Sequence, residues 1–282
     1  MISSFAPSPA LAPFVERYVV YDFPAAMRNG APAALTVFPD TSSFACFIWG
    51  DPLQATHKSH QTHNTRSGIC GFQTYRVDMQ GAGNMGGVSV RFTPWGASSF
   101  VPEDVGALVD VRVAFRDLFP AGEIESVEDE LSVLPDAQAR ARRVDTFLLA
   151  HLQARYPDPV VRAAVGMLVQ SCGATPMRTL ARHFEMSERS LERRFLRAMG
   201  VGPKKFARVV RLQGALAGHG RTGSWTDTAA AMGYFDQSHL IRDCQSMLGM
   251  SPEVLVSTPL SEAAQAFQAA VPAPLRPARL YL

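Results

Sequence analysis

Residues 177–200 read MRTLARHFEMSERSLERRFLRAMG, and residues 225–249 read WTDTAAAMGYFDQSHLIRDCQSMLG. Each stretch begins with a short helical pattern, passes through a turn, and resumes at a residue suited to cap a helix, Ser187 or Asp236. Apolar residues then recur at spacings of three and four, the period of an amphipathic helix. The two stretches therefore predict two helix-turn-helix units, and the pattern of residues 203–218 predicts a helix that joins them.

The longer helix of each unit is predicted to leave a polar face open. The side predicted to be buried contains Leu191, Phe195 and Leu196 in the first unit and Leu240, Cys244 and Leu248 in the second. The side predicted to be exposed contains Glu188, Arg189, Glu192, Arg193 and Arg197 in the first unit and Gln237, Ser238 and Arg242 in the second. A capped helix with a basic open face is typical of one that enters the DNA major groove, where arginine bonds guanine bidentately.

Charge is distributed unevenly along the chain. Lys and Arg exceed Asp and Glu by five within residues 176–258, whereas the rest of the chain carries a net charge of −3 and the whole chain +2. A basic segment beside a slightly acidic body is typical of nucleic-acid binding. A solvated helix face gives the same pattern, so charge alone leaves both interpretations open.

The fold class indicated is α+β. Residues 1–134 contain short apolar runs rich in aromatic and β-branched residues, separated by Gly, Pro, Asp and Asn, which predicts a β-rich domain. Helical spacing of apolar residues predicts a helical connector over residues 135–175. An all-α domain of two helix-turn-helix units spans residues 176–258, and the Ala- and Pro-rich residues 259–282 are expected to form a loosely held tail.

Composition disfavours secreted, membrane-spanning and disordered classes of protein. The hydrophobic fraction of 47% suits a packed globular chain. The sequence shows no secretory leader and no uninterrupted apolar run long enough for a membrane span. Four cysteines without a Cys-x-x-Cys pair suit a reducing compartment. We therefore expect a cytoplasmic protein without membrane contact.

Two further patterns are interpreted as structural features. Residues 81–86 spell Gly-x-Gly-x-x-Gly but lead into a predicted strand, which favours a hairpin turn over a dinucleotide site. His57, His60 and His63 stand three residues apart in a polar stretch, which favours a surface loop over a metal site. We therefore expect neither a cofactor nor a metal.

The run GYFDQSHLIRD at residues 233–243 and the Gly-x-Gly/Ser-Pro ending of each unit are specific signals. Further matching residues are Leu180-Ala181, Met186-Ser187, Leu191–Phe195, Arg211-Leu212 and Ala229. On these residues, 176–258 resemble the DNA-binding domain of the AraC/XylS family of bacterial transcription regulators. The resemblance implies base contacts by Arg189, Glu192, Arg193, Gln237, Ser238, Ile241 and Arg242. Glu185 replaces the family's turn glycine, which implies either a strained or a wider turn.

The function implied is a sequence-specific DNA-binding transcriptional regulator that reads two successive major grooves. Phosphate contacts are expected from Arg194, Lys204, Lys205 and Arg208, and they supply the salt-dependent part of the affinity. The partners expected are double-stranded DNA, a small-molecule effector, a second copy in a homodimer and, for an activator, RNA polymerase.

Residues 1–134 resemble the β-rich sensor regions attached to such regulators, which implies an effector pocket or a dimerisation surface. Arg91 and Trp95 are candidates to line a pocket for an anion or a ring. Alternatively, Arg91 pairs with a carboxylate and Trp95 anchors the core.

Two alternative functions remain open on the sequence. One is an enzyme delivered to DNA, whose nucleophile would be Cys46 or Cys70, although both lie in apolar runs that argue against reactivity. The other is an interaction protein that has lost DNA binding, which Glu185 and Cys244 favour because both depart from the family pattern.

Overall fold

The N-terminal half of the protein forms two antiparallel sheets, as the apolar runs predict. The computed structural model describes residues 2–23, 33–57, 60–81, 83–101, 105–153, 155–156 and 158–270. The strands are β1 (Ile2–Phe5), β2 (Val15–Phe23), β3 (Ala33–Val37), β4 (Phe44–Ile48), β5 (Leu53–His57), β6 (His60–Thr65), β7 (Gly68–Cys70), β8 (Val77–Gly81), β9 (Met85–Phe92) and β10 (Arg112–Ala114). The first sheet has the order β1-β2-β9-β4-β7-β10, and the second has the order β3-β8-β5-β6.

Strand β9 lies between β2 and β4 and shows why this region forms a sheet. Val88, Val90 and Phe92 alternate along it and are at most 1% exposed. Successive side chains of a strand point to opposite faces, so Ser89 and Arg91 face the other side. The apolar side chains of β9 therefore share one face of the sheet, and the polar ones share the other.

Helices account for the second half of the chain. They are α1 (Ala121–Val133), α2 (Ala137–His151), α3 (Pro159–Gln170), α4 (Met177–His183), α5 (Glu188–Met199), α6 (Pro203–Thr222), α7 (Trp225–Ala231), α8 (Gln237–Leu248), α9 (Pro252–Ser257) and α10 (Glu262–Ala270). The combination of a strand-rich first half with a helical second half confirms the predicted α+β class.

The protein is built around two main hydrophobic cores. Helices α1 and α2 pack on the first sheet, where Val127 and Phe147 share a core with Phe47 of β4. The ring centroids of Phe47 and Phe147 lie 5.2 Å apart. Helices α3 to α9 share the second core, whose fully buried residues include Phe195 and Phe206. The segment predicted as a connector, residues 135–175, is therefore divided between the cores, because α2 belongs to the first and α3 to the second.

The C-terminal helix α10 returns to the N-terminal half, whereas the composition of residues 259–282 predicts a loosely held tail. Ala263, Ala264 and Phe267 are buried against Tyr21 of β2 and Leu35 of β3. Small alanine side chains allow the helix to approach the strands closely, and Phe267 supplies an aromatic anchor. Residues 271–282 lie outside the described part of the chain.

Two local expectations take a different form in the structure. Residues 81–86 join β8 of one sheet to β9 of the other, so they are a connection between sheets and not the hairpin turn expected. His57 and His60 pair across the β5–β6 hairpin, which replaces the predicted loop. The side chains of His57, His60 and His63 lie outside the described part of the chain.

Candidate nucleic-acid interface

The first helix-turn-helix unit consists of α4, a turn and α5. The Oγ atom of Ser187 accepts a hydrogen bond from the Ser190 backbone N–H at 3.2 Å, which is the predicted helix cap. In the turn, the Met186 backbone N–H donates to the Ala181 carbonyl oxygen at 3.0 Å. Glu185 adopts φ +53°, in the left-handed region that favours glycine. The turn is therefore tight and strained rather than wider.

The second unit, α7, a turn and α8, repeats this geometry. An oxygen of Asp236 accepts from the His239 backbone N–H at 2.7 Å. The Tyr234 N–H donates to the Ala229 carbonyl at 2.9 Å, and Gly233 adopts φ +70°. The two turns share one backbone conformation, although one is built on glutamate and the other on glycine.

Helix α6 connects the two units as one continuous element of 20 residues. At about 1.5 Å per residue its length is about 30 Å, close to the roughly 34 Å of one DNA turn. Phe206, Val209 and Leu212 anchor it in the second core and are at most 1% exposed. These residues hold the apolar face of α6 in the core shared by both units.

The predicted base-contacting side chains lie on the open faces of α5 and α8. Five of them are exposed, namely Arg189, Glu192, Arg193, Ser238 and Arg242. Gln237 and Ile241 are half-buried. Gln237 accepts a hydrogen bond from the Thr226 hydroxyl at 2.8 Å, which holds its side chain against α7. The expectation that Leu196 points inward is wrong, because this side chain is 45% exposed.

The predicted phosphate-contacting residues fall into two kinds. Lys204 and Lys205 are exposed at the start of α6 and form no ion pair with any described residue. Arg194 pairs with Asp158 at 2.9 Å, and Arg208 pairs with Asp243 at 2.8 Å. The two arginines are thus partly neutralised within the protein, whereas the lysines are free to meet an anion.

A cleft of about 1020 Å³ separates α5 from the N-terminal half. Four arginines line it, namely Arg155, Arg193, Arg194 and Arg197. Gly200 adopts φ +71° at the end of α5, and a Cβ atom there would lie 2.6 Å from the Val105 carbonyl oxygen. The missing side chain of Gly200 therefore permits the close approach of α5 to the N-terminal half. Sequence analysis missed Arg155, because the residues between α2 and α3 carry no motif.

The two residues proposed to line an effector pocket have other partners. Arg91 forms ion pairs with Asp40 and, at 2.6 Å, with Glu16. Burial opposes its charged form, but the two carboxylates more than offset that effect, so the pKa of Arg91 lies above its usual range. Trp95 donates from Nε1 to the Pro13 carbonyl at 3.0 Å. The carboxylate-pairing alternative therefore describes Arg91, while Trp95 lines the cleft beside α5.

Within the described ranges the protein offers neither a cluster of metal ligands nor a membrane-spanning helix. No group of three or more His, Cys, Asp or Glu side chains there is placed to hold a metal ion. No described helix is both long and apolar enough to cross a membrane.

Comparison with known proteins supports the assignment of the C-terminal domain. A family model described as a helix-turn-helix domain matches residues 180–257, and a domain of unknown function matches residues 3–114. No curated protein matches the chain.

Among solved structures the chain is similar to ToxT from Vibrio cholerae, with 10% identity over 85% of this chain and 97% of that chain and a TM-score of 0.46. It is also similar to the AraC-like transcriptional activator CuxR, with 15% identity over 77% of this chain and 87% of that chain and a TM-score of 0.24. The family model therefore identifies residues 180–257 as a helix-turn-helix domain of the AraC type.

Proposed function

We propose that the protein is a sequence-specific transcriptional regulator that binds duplex DNA by inserting α5 and α8 into successive major grooves. The observation that carries this proposal is the pair of units with one turn geometry, joined by helix α6 and packed in one core. On this proposal α5 and α8 stand about one DNA turn apart, so that they reach the same face of a duplex.

We expect different exposed side chains to contact the bases and the phosphates of the DNA. On this proposal the exposed Arg193 and Arg242 bond base edges, and each good bidentate contact contributes about 1–3 kcal/mol of discrimination against a wrong base. The exposed Lys204 and Lys205 contact phosphates, which adds affinity without sequence preference.

Selection of binding sites from a random duplex pool tests this proposal. The full chain is expected to select a motif with two half-sites about 10–10.5 base pairs apart. Arg193→Ala is expected to abolish the base preference in one half-site, and Arg242→Ala is expected to abolish it in the other. Arg142→Ala is the matched control, because Arg142 is exposed on α2, away from both units. An unchanged motif with both variants would refute the base-reading roles.

The enzyme alternative is not favoured by the surroundings of its candidate nucleophiles. Cys46 and Cys70 line an interior cavity between the sheets. Burial raises the pKa of the Cys46 thiol, which suppresses the reactive thiolate. Alkylation of the native protein followed by mass spectrometry is expected to leave Cys46 unmodified, and rapid selective modification would revive this alternative.

The interaction-protein alternative predicts no electrostatic binding to DNA. On our proposal, the logarithm of the affinity falls linearly with the logarithm of salt concentration, because phosphate contacts release counterions. A salt titration without such a slope would favour the alternative. The proposal also includes a cytoplasmic location, an effector or homodimer contact through the N-terminal half and, for an activator, contact with RNA polymerase.

A further inference from the structure

The cleft beside α5 is continuous with the open face of that helix. Arg193 and Leu196 line the cleft of about 1020 Å³ that separates α5 from the N-terminal half. The same two residues also line a groove along the open face of α5, together with Ser187 and Arg189. The backbone strands that border a major groove pass on either side of a helix seated in it. On the proposed mode of binding, one of these strands therefore runs along the mouth of the cleft.

The cleft carries a positive charge that suits a polyanion. Four arginines and one aspartate line it, which gives a net charge of +3. Arg155, Arg193 and Arg197 are exposed and form no ion pair with any described residue, whereas Asp158 pairs with Arg194. A cleft lined by one sign of charge attracts a ligand of the opposite sign.

Arg155 is the arginine of this set that lies outside the helix-turn-helix domain. Backbone atoms fix its segment, between α2 and α3, to the N-terminal half. The Ser99 hydroxyl donates to the Arg155 carbonyl oxygen at 3.1 Å, and the Gln153 N–H donates to the Ser99 carbonyl oxygen at 2.9 Å. The rings of Tyr156 and Phe14 lie 5.3 Å apart. The Arg155 side chain therefore projects from an anchored backbone while remaining exposed.

Two contacts join the walls of the cleft. Arg194 of α5 pairs with Asp158, three residues after Arg155, at 2.9 Å. Gly200 at the end of α5 approaches Val105 of the N-terminal half. Arg155 and the arginines of α5 therefore line two walls of one cleft.

A strand of DNA suits these features better than a small anion does. A site for a small molecule buries most of the surface of its ligand. The arginines here are exposed, and the cleft continues onto the open face of α5. This arrangement favours a partner that extends beyond the cleft along the protein surface.

We propose that Arg155 binds a backbone phosphate of the DNA strand that flanks the half-site read by α5, so that the N-terminal half takes part directly in DNA binding. This inference rests on the proposed function and adds to it a contact outside the helix-turn-helix domain. The contact adds affinity but no base preference, because a phosphate carries no sequence information. It lengthens the bound region of the duplex on the side of the first unit.

A salt titration of DNA binding by the full chain tests the role of Arg155. On a selected duplex, Arg155→Gln is expected to bind severalfold more weakly than wild type, with an unchanged motif. The slope of log affinity against log salt is expected to become shallower by about 0.9, and Arg155→Lys is expected to keep the wild-type slope. Arg142→Gln is the matched control, because Arg142 is exposed on α2 and does not line the cleft. Equal slopes for wild type and Arg155→Gln overturn the inference and leave the cleft to another anion.

Phosphate ethylation interference locates the contact. Ethylation of a phosphate just beyond the half-site read by α5 is expected to weaken binding of the wild type. The same modification is expected to have no effect on binding of Arg155→Gln, which has already lost this contact. General misfolding weakens every contact and does not remove one phosphate from the pattern. Identical interference patterns for the two proteins overturn the inference.

Failure of this inference and failure of the proposed function give different results. A full chain that selects a motif with two half-sites, but whose Arg155→Gln variant loses no phosphate contact, contradicts the inference alone. A full chain that selects no motif contradicts the proposed function and, with it, this inference.

Discussion

The two helix-turn-helix units share one backbone plan but differ in chemistry. When their caps Ser187 and Asp236 are aligned, both second helices have 12 residues and both end at a glycine with φ +71°. Helix α5 carries four arginines and two glutamates, whereas α8 carries one arginine and one aspartate. On the proposed function, we therefore expect the first unit to contribute more of the electrostatic affinity for DNA and the second to contribute mainly contacts of shape and hydrogen bonding.

The seventh position after the cap shows the contrast most directly. The first unit places Arg194 there, paired with Asp158 before α3. The second unit places Asp243 there, paired with Arg208 of α6. At this position an ion pair therefore links each helix to a neighbouring segment. The charge on the helix is positive in the first unit and negative in the second. Only in the first unit does breaking the pair release a positive charge on the DNA-facing helix itself.

The largest expected difference between the two units is in the loss of stability when a core side chain is truncated. Eight residues after the cap stand Phe195 and Cys244, both fully buried. Phe195→Ala removes a large side chain and is expected to lower the free energy of unfolding by about 3–5 kcal/mol. Cys244→Ala removes a single sulfur atom and is expected to cost about 1 kcal/mol. Urea denaturation of the full chain measures both. Similar losses would show that the two cores tolerate truncation equally.

The next effect concerns the two turns. Gly233→Ala forces a side chain into the left-handed conformation and is expected to cost about 1–2 kcal/mol. The added Cβ lies 3.4 Å from the Cβ of Ala174, an ordinary contact, so the cost is conformational. Glu185→Gly relieves the same strain in the first unit and is expected to stabilise it by about 0.5–1 kcal/mol. Thermal unfolding checks both values, and a destabilised Glu185→Gly would show that Glu185 is not strained.

The smallest effect concerns the ion pair of the first unit. Asp158→Asn keeps an oxygen for the α3 cap but removes the charge beside Arg194. An exposed pair contributes roughly 0.2–1 kcal/mol, so we expect a severalfold gain in DNA affinity at most. The slope of log affinity against log salt is expected to steepen by about 0.9. Asp129→Asn on α1 is the matched control for a lost exposed charge. An unchanged slope would show that Arg194 does not reach a phosphate.

Local signals allowed the helix-turn-helix units to be predicted from sequence. Ser187 and Asp236 cap helices through bonds to residues three positions away, and the apolar period repeats within one helix. Glu185 could be identified as exceptional because the family resemblance implies a turn glycine at this position, and its φ of +53° agrees with such a turn. Leu196 was misassigned because its helical spacing matches the buried stripe while its side chain opens onto the cleft.

Features that depend on distant contacts were not accessible to sequence reasoning. Arg91 meets Asp40, which lies 51 positions away and on another segment. Phe267 contacts Tyr21, which lies near the other end of the chain. The composition of residues 259–282 predicts a loosely held tail because it carries no sign of this distant contact. Such features are set by tertiary packing, for which no local pattern exists.

The most direct test of the account is a hydroxyl-radical footprint of the full chain on a selected duplex. The account predicts two protected patches on one face of the DNA, separated by about 10–10.5 base pairs, with the patch over the first unit lost in Arg193→Ala and the patch over the second lost in Arg242→Ala. A single patch, or two patches on opposite faces, would contradict the claim that α6 presents α5 and α8 to successive major grooves.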